Sequence, residues 1–217
     1  MPISVIIFLI IIVFAVPMLS IYNLKMIEQI KEIMLPEKRK LYFQSGVNQL
    51  FLCFLALWAA DASAIMVAYK GTLSSTAILG GFVFLCIAFT VGYITNKNEK
   101  LTDANPGLEL LKPNTTQEKI GWVAVNLVAA TCEEIIFRSV LYQLFLRTTN
   151  NVFIAALISA IVFGFSHSVQ GIMGIIITCI FGLGLQHLVY LNNGLLIAII
   201  VHFTYNMGTT FLVLRKK

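Results

Sequence analysis

Glu133 and Glu134 stand side by side, with Arg138 four residues on, inside a run (120–146) that otherwise has the composition of a membrane-spanning helix. An ionisable group at membrane depth costs about 2.5–3.5 kcal/mol on insertion scales, so such residues are read first as functional. Spacing of i,i+4 stacks Glu134 and Arg138 on one helical face, where the two charges can pair. Glu133 projects about 100° away from Glu134 and has no such local partner. It needs a proton, a metal or a histidine from elsewhere in the chain. Two of the three histidines stand in comparable settings. His167 follows Phe163 at i,i+4, and His202 precedes Asn206 at the same spacing, each within another apolar run. Alone, each histidine would read as a satisfied structural group. Together inside a bilayer these groups are expected to converge on an internal hydrated cavity, because each is penalised against lipid. A carboxylate, two imidazoles and a carboxamide around water can hydrolyse a peptide bond, as general base, proton-transfer partner and oxyanion donors.

Other polar residues read more plainly. His187 is taken as a structural group near the outer surface, and Asp61 as an interhelical hydrogen bonder. Cys53, Cys86, Cys132 and Cys179 all lie in apolar segments without metal-type spacing and read as buried thiols. Cys132, beside Glu133, has nothing nearby to activate it as a nucleophile.

The elements that must position these residues are membrane helices. The 217 residues are 59% hydrophobic and 12% charged, and mean hydropathy is +0.88, which excludes an ordinary soluble domain. Apolar runs at 3–22, 50–69, 76–95, 116–146, 152–167, 172–191 and 195–214 predict an all-α, polytopic transmembrane bundle of seven spans. An eighth, half-inserted segment near 26–34 would bring the count to eight, since apolar residues there recur at helical spacing until Pro36. The first span lacks a basic flank and is read as a retained helix. Thr115 to Glu118 fits a capping box, so the fourth helix is expected to start near Thr116. The chain is read as one integral membrane domain, 1–115 carrying N-terminal spans and 116–210 the polar motifs, with the site in the C-terminal four helices.

Charge orients the bundle. The net charge of +5 does not mark a nucleic-acid binder, because the basic residues fall in loops. With the N-terminus outside, twelve of the fifteen Lys and Arg lie in inner segments, against Lys70 and Arg147 in outer ones. The C-terminus is then cytoplasmic. This geometry leaves a conflict: His167 falls near the inner end of its span, His202 near the outer end of its own.

The ordered set Glu-Glu-x-x-x-Arg, Phe-x-x-x-His, His-x-x-x-Asn on successive C-terminal helices resembles the CPBP intramembrane proteases. These comprise the type II CAAX prenyl endopeptidases and bacterial relatives linked to bacteriocin processing and self-immunity. The resemblance covers about 116–210. It implies a catalytic set of Glu133, Glu134, His167, His202 and Asn206. In that set Glu133 activates water beside His167, His202 and Asn206 hold the oxyanion, and Glu134 with Arg138 orders the site. A zinc held by Glu133, His167 and His202 would also suit these residue types, although there is no H-E-x-x-H, and a metal-free glutamate mechanism uses the same groups. The expected partners are a membrane-bound peptide or protein substrate and the bilayer itself, in a bacterial plasma membrane. Two other classes stand beside the enzyme: a non-catalytic immunity or partner-binding membrane protein, and a small proton-coupled transporter. The transporter reading lacks the inverted repeats and broken helices it would need.

Overall fold

A computed structural model describes residues 1–29, 37–97 and 113–214. The chain is a polytopic helical bundle, all-helical among the described residues, with one helix for each of the seven expected spans. Helix α1 joins Ile3–Leu9, a π-helical turn at Ile10–Ala15, and Val16–Gln29. Then come α2 (Lys38–Ala62) and α3 (Ser75–Lys97). Helix α4 is continuous through Thr116–Glu133, a π-helical segment Glu134–Leu141, and Tyr142–Thr149. Helix α5 is Val152–Ser166, α6 is Gly171–Asn192 after a 3₁₀ turn Ser168–Gln170, and α7 is Leu196–Leu214. The expected half-inserted segment beyond Gln29, most of the polar stretch 96–119 and the terminal Arg215-Lys216-Lys217 lie outside the described residues.

Among the described residues five helices are long and apolar enough to cross a membrane: Ile3–Leu24, Lys38–Ala62, Ser75–Ile94, Thr116–Thr149 and Ser168–Asn192. Their outward faces carry large apolar side chains such as Phe14, Phe51, Phe82, Ile120 and Ile180, which suits lipid rather than water. Two buried clusters fill the inside. One joins α1, α2, α4 and α5 around Phe8, Ile12, Ile136, Leu141 and Phe163. The other joins α3, α6 and α7 around Phe181, Leu185, Leu188 and Val201.

The expected start of α4 holds. Glu118 N–H donates to Thr115 Oγ1 at 3.2 Å, and Thr115 N–H returns a bond to Glu118 Oε2 at 3.2 Å, closing both halves of the capping box.

One boundary differs from the sequence reading, and one helix that matches it is short; both matter to the site. The second span begins at Lys38, a dozen residues before the expected Leu50, because Lys38-Arg39-Lys40 forms its first turn. It stops at Ala62, where the chain passes through Ala64 at φ 49° and continues without helix to Ser74. The 63–74 segment turns back along the bundle. Arg147 donates to the carbonyl oxygens of Ser63 and Ala64 at one end of it. Farther along, Leu195 N–H donates to Ala68 O and Leu196 N–H to Tyr69 O, both at 2.9 Å. Leu195 shares a cavity of about 300 Å³ with Arg138, Ser139 and Tyr142. Leu195, the residue before α7, therefore lies beside α4 short of that helix's last turn.

The short helix is α5, which keeps the expected bounds. Its 15 residues span only about 22 Å, less than a hydrocarbon core of about 30 Å. His167 ends it, and the chain reverses through Ser168–Gln170 and Gly171, whose φ of 78° suits glycine. With α5 short and α7 set inward, the depths of His167 and His202 coincide. That removes the conflict that full-length spans created.

Candidate active site

The helix carrying both glutamates changes its winding between them. Glu133 is the last α-helical residue and Glu134 the first of the π-helical segment. A π turn has i→i+5 bonding and widens the helix locally, a departure found often at functional sites. Ser159 Oγ–H on α5 donates to Phe137 O inside that segment at 2.7 Å, so the neighbouring helix supplies a partner to the altered ladder.

The two carboxylates face different surroundings. Glu134 is fully buried. Its Oε2 lies 3.4 Å from Arg138 Nε, and its Oε1 accepts from His202 Nδ1–H at 2.7 Å. Arg138 lays its guanidinium over the Phe163 ring, 4.0 Å from the centroid, adding a cation–π contact in a water-poor site. Glu133 is 8% exposed and lines the main internal cavity, about 380 Å³, with Gln49, Trp122, His167, His202 and Asn206. Gln49 Nε2–H donates to Glu133 Oε1 at 2.8 Å. Glu133 Oε2 faces His167 Nε2 at 3.9 Å and His202 Nε2 at 3.7 Å.

The far nitrogens of both imidazoles are occupied, which fixes their tautomers. His167 Nδ1 lies 2.9 Å from Phe163 O; a carbonyl only accepts, so Nδ1 carries the proton. His202 Nδ1 is likewise committed to Glu134. In the neutral rings each Nε2 then presents a lone pair toward Glu133 Oε2. Separations of 3.7 and 3.9 Å exceed a direct hydrogen bond and suit groups that meet through a shared donor such as water. The imidazole of His202 is further fixed by Phe163 and Phe181, whose rings meet it edge-on at centroid distances of 6.1 and 5.6 Å. Phe163 belongs to one buried cluster and Phe181 to the other, so the site lies on the seam between them.

Glu133, Glu134, Arg138, His167 and His202 are thus brought together, and Asn206 lines the same cavity one turn beyond His202. His187 is exposed beside Tyr190. Asp61 is exposed at the end of α2 and lies off the cavity, so the interhelical hydrogen bond expected of it does not form. Cys132 is buried in the core with Cys53 and is not among the cavity's lining residues. Gln49 was missed by sequence reasoning. A lone amide with no spaced partner carries no motif, and the expected second span began one residue after it.

The residue types suit a zinc, but their placement does not. Among the described residues no group of three His, Cys, Asp or Glu is arranged to hold a metal ion. The separations from Glu133 Oε2 exceed the roughly 3.4 Å between donors of a tetrahedral zinc site built on bonds of about 2.0–2.2 Å.

Residues 115–208 match the family model described as type II CAAX prenyl endopeptidase Rce1-like. The match spans all three motifs and agrees with the resemblance to the CPBP intramembrane proteases. No curated protein and no solved structure matches the chain.

Proposed function

We propose, taking the match over 115–208 as the premise, that the chain is an intramembrane endopeptidase of CAAX type that works without a metal. The observation that carries the proposal is the convergence of Glu133 Oε2 with Nε2 of both His167 and His202 on the wall of one cavity. Glu133 takes a proton from a water held between these groups, and the hydroxide oxygen bonds to the scissile carbonyl carbon. The carbonyl π electrons move onto oxygen. Asn206 donates a hydrogen bond to that oxyanion, and so does His202 Nε2, which takes a second proton from solvent in the cavity before the attack and keeps it throughout. Glu134 supports that proton by accepting from Nδ1, the arrangement in which a carboxylate orients an imidazole and stabilises its charged form. His167 holds the water against Glu133. Collapse of the intermediate breaks the C–N bond, and Glu133 returns its proton to the departing amine.

The substrate is a membrane-associated peptide, lipid-modified or a leader segment, cut at membrane depth in a bacterial plasma membrane. The cavity runs from Glu133 toward Ser45, Thr209 and Thr210, at the end of the bundle that the charge bias assigns to the cytoplasm.

The test compares peptidomes and membrane proteomes of cells making wild type or Glu133→Gln at matched levels. The near-isosteric change should lower cleavage by about 10²–10⁴-fold while leaving insertion intact. Identical profiles from two well-inserted proteins would sink the peptidase and favour a non-catalytic immunity role. Turnover of a substrate found this way should survive dialysis against a strong chelator; loss restored by zinc would reverse the metal-free assignment.

A further inference from the structure

We propose that Gln49 is a positioning residue for Glu133, so that the machinery is completed by a helix outside the segment that matches the family. The inference rests on the peptidase reading of the same site. Residue 49 lies on α2, whereas the match covers 115–208. Its Nε2–H donates to Glu133 Oε1 at 2.8 Å across the α2–α4 contact. A carboxylate free to rotate about its last torsion would point either oxygen at the imidazoles. Tying Oε1 to α2 commits Oε2 to the side where His167 and His202 present Nε2. The amide orientation is forced, because its carbonyl oxygen cannot face a carboxylate oxygen at that distance.

The surroundings hold Gln49 in place. Tyr42 packs on Trp122 with ring centroids 5.4 Å apart, two turns before Gln49 along α2. Cys53, one turn after it, joins Cys132 in the core beside Glu133. The α2–α4 seam is thereby clamped on both sides of the bond.

Folding alone does not favour this residue. Among the described residues Gln49 Oε1 is buried with no protein hydrogen-bond partner, a desolvation cost that an apolar side chain of similar length would avoid. Stability and catalysis are therefore expected to respond in opposite directions to its replacement. A purely structural residue cannot do that.

Gln49→Met keeps length and volume and removes both the donor and the unpaired oxygen. In the full-length protein it should lower kcat by about 10–100-fold, the order expected when a reacting group loses its alignment. KM should stay close to wild type and the thermal midpoint should hold or rise. Gln49→Glu, which replaces the donor with a carboxylate, should lose at least as much. A second readout does not depend on turnover: modification of Glu133 by dicyclohexylcarbodiimide, followed by mass spectrometry, should become several-fold faster in Gln49→Met. Lower kcat, faster labelling and retained stability together support the proposal. Unchanged labelling and turnover overturn it, and so does a kcat loss that only follows loss of folded protein. If wild type itself cleaves nothing, the peptidase reading fails, and the labelling rate alone decides whether Gln49 holds Glu133.

Discussion

Glu133 and Glu134 are chemical twins whose environments set them to different work. Glu134 is sealed between Arg138 and His202 and cannot reach a substrate; Glu133 faces the cavity. This division was half legible in the sequence. The i,i+4 spacing of Glu134 and Arg138 makes their pairing local, and local geometry is what spacing reports. The bond from Glu134 to His202 and that from Gln49 to Glu133 join residues 68 and 84 positions apart, and no periodicity encodes them. Arg138→Ala should remove about 3–5 kcal/mol of stability, since it leaves a buried carboxylate uncompensated. Arg138→Lys should also lower the thermal midpoint, because an ammonium cannot lie flat on Phe163 as the guanidinium does. The paired change Glu134→Gln/Arg138→Met should recover most of that loss in the folded fraction measured in detergent. Full stability of Arg138→Ala would mean that the ion pair is not structural.

Among the elements, α5 departs furthest from a simple membrane rod. Its composition gives a helix but not what its end faces, which depends on how α6 packs against it, a tertiary event. The end of α5 is set by close packing. A Cβ at Gly164 would lie 2.2 Å from Cys179 Sγ and 2.8 Å from Ile175 O on α6. Gly164→Ala must therefore push α5 off α6 and carry His167, three residues on, away from Glu133. We expect a loss of about 1–3 kcal/mol and a fall in turnover larger than the stability change accounts for. Thermal melts and kcat from the same preparation decide it; wild-type turnover would show that α5 has slack at this point.

At the scale of the whole molecule, the seven-helix count was legible because apolar run length is dictated by bilayer thickness. What closes the end of the bundle away from the cavity mouth was not. Asn192 falls between the apolar runs 172–191 and 195–214, yet it is fully buried and ties three segments together. Its Nδ2 donates to Lys70 O and Gly194 O, both at 3.1 Å, and its Oδ1 accepts from Leu73 N–H at 2.9 Å. Asn192→Ala strands buried backbone groups of the 63–74 segment. It should destabilise by about 1–3 kcal/mol and admit protease there at concentrations that leave wild type intact; an unchanged digest would remove this role. The orientation inferred from charge has its own check. An impermeant maleimide should label Lys70→Cys in intact cells, and Lys40→Cys only after permeabilisation. The reverse pattern would invert the bundle and put the cavity mouth outside.

The π-helical segment Glu134–Leu141 also has a genetic consequence. Loss of one codon from an ordinary membrane helix rotates everything beyond it by about 100°, which misplaces the helix face and ruins packing. A π turn already holds the extra residue, and its deletion returns the backbone to α-helix with both flanks close to their original facing. A scan of in-frame codon deletions along 116–149 should therefore reveal an island of tolerated insertion and folding at 139–141. Chains recovered from that island should reach the membrane intact.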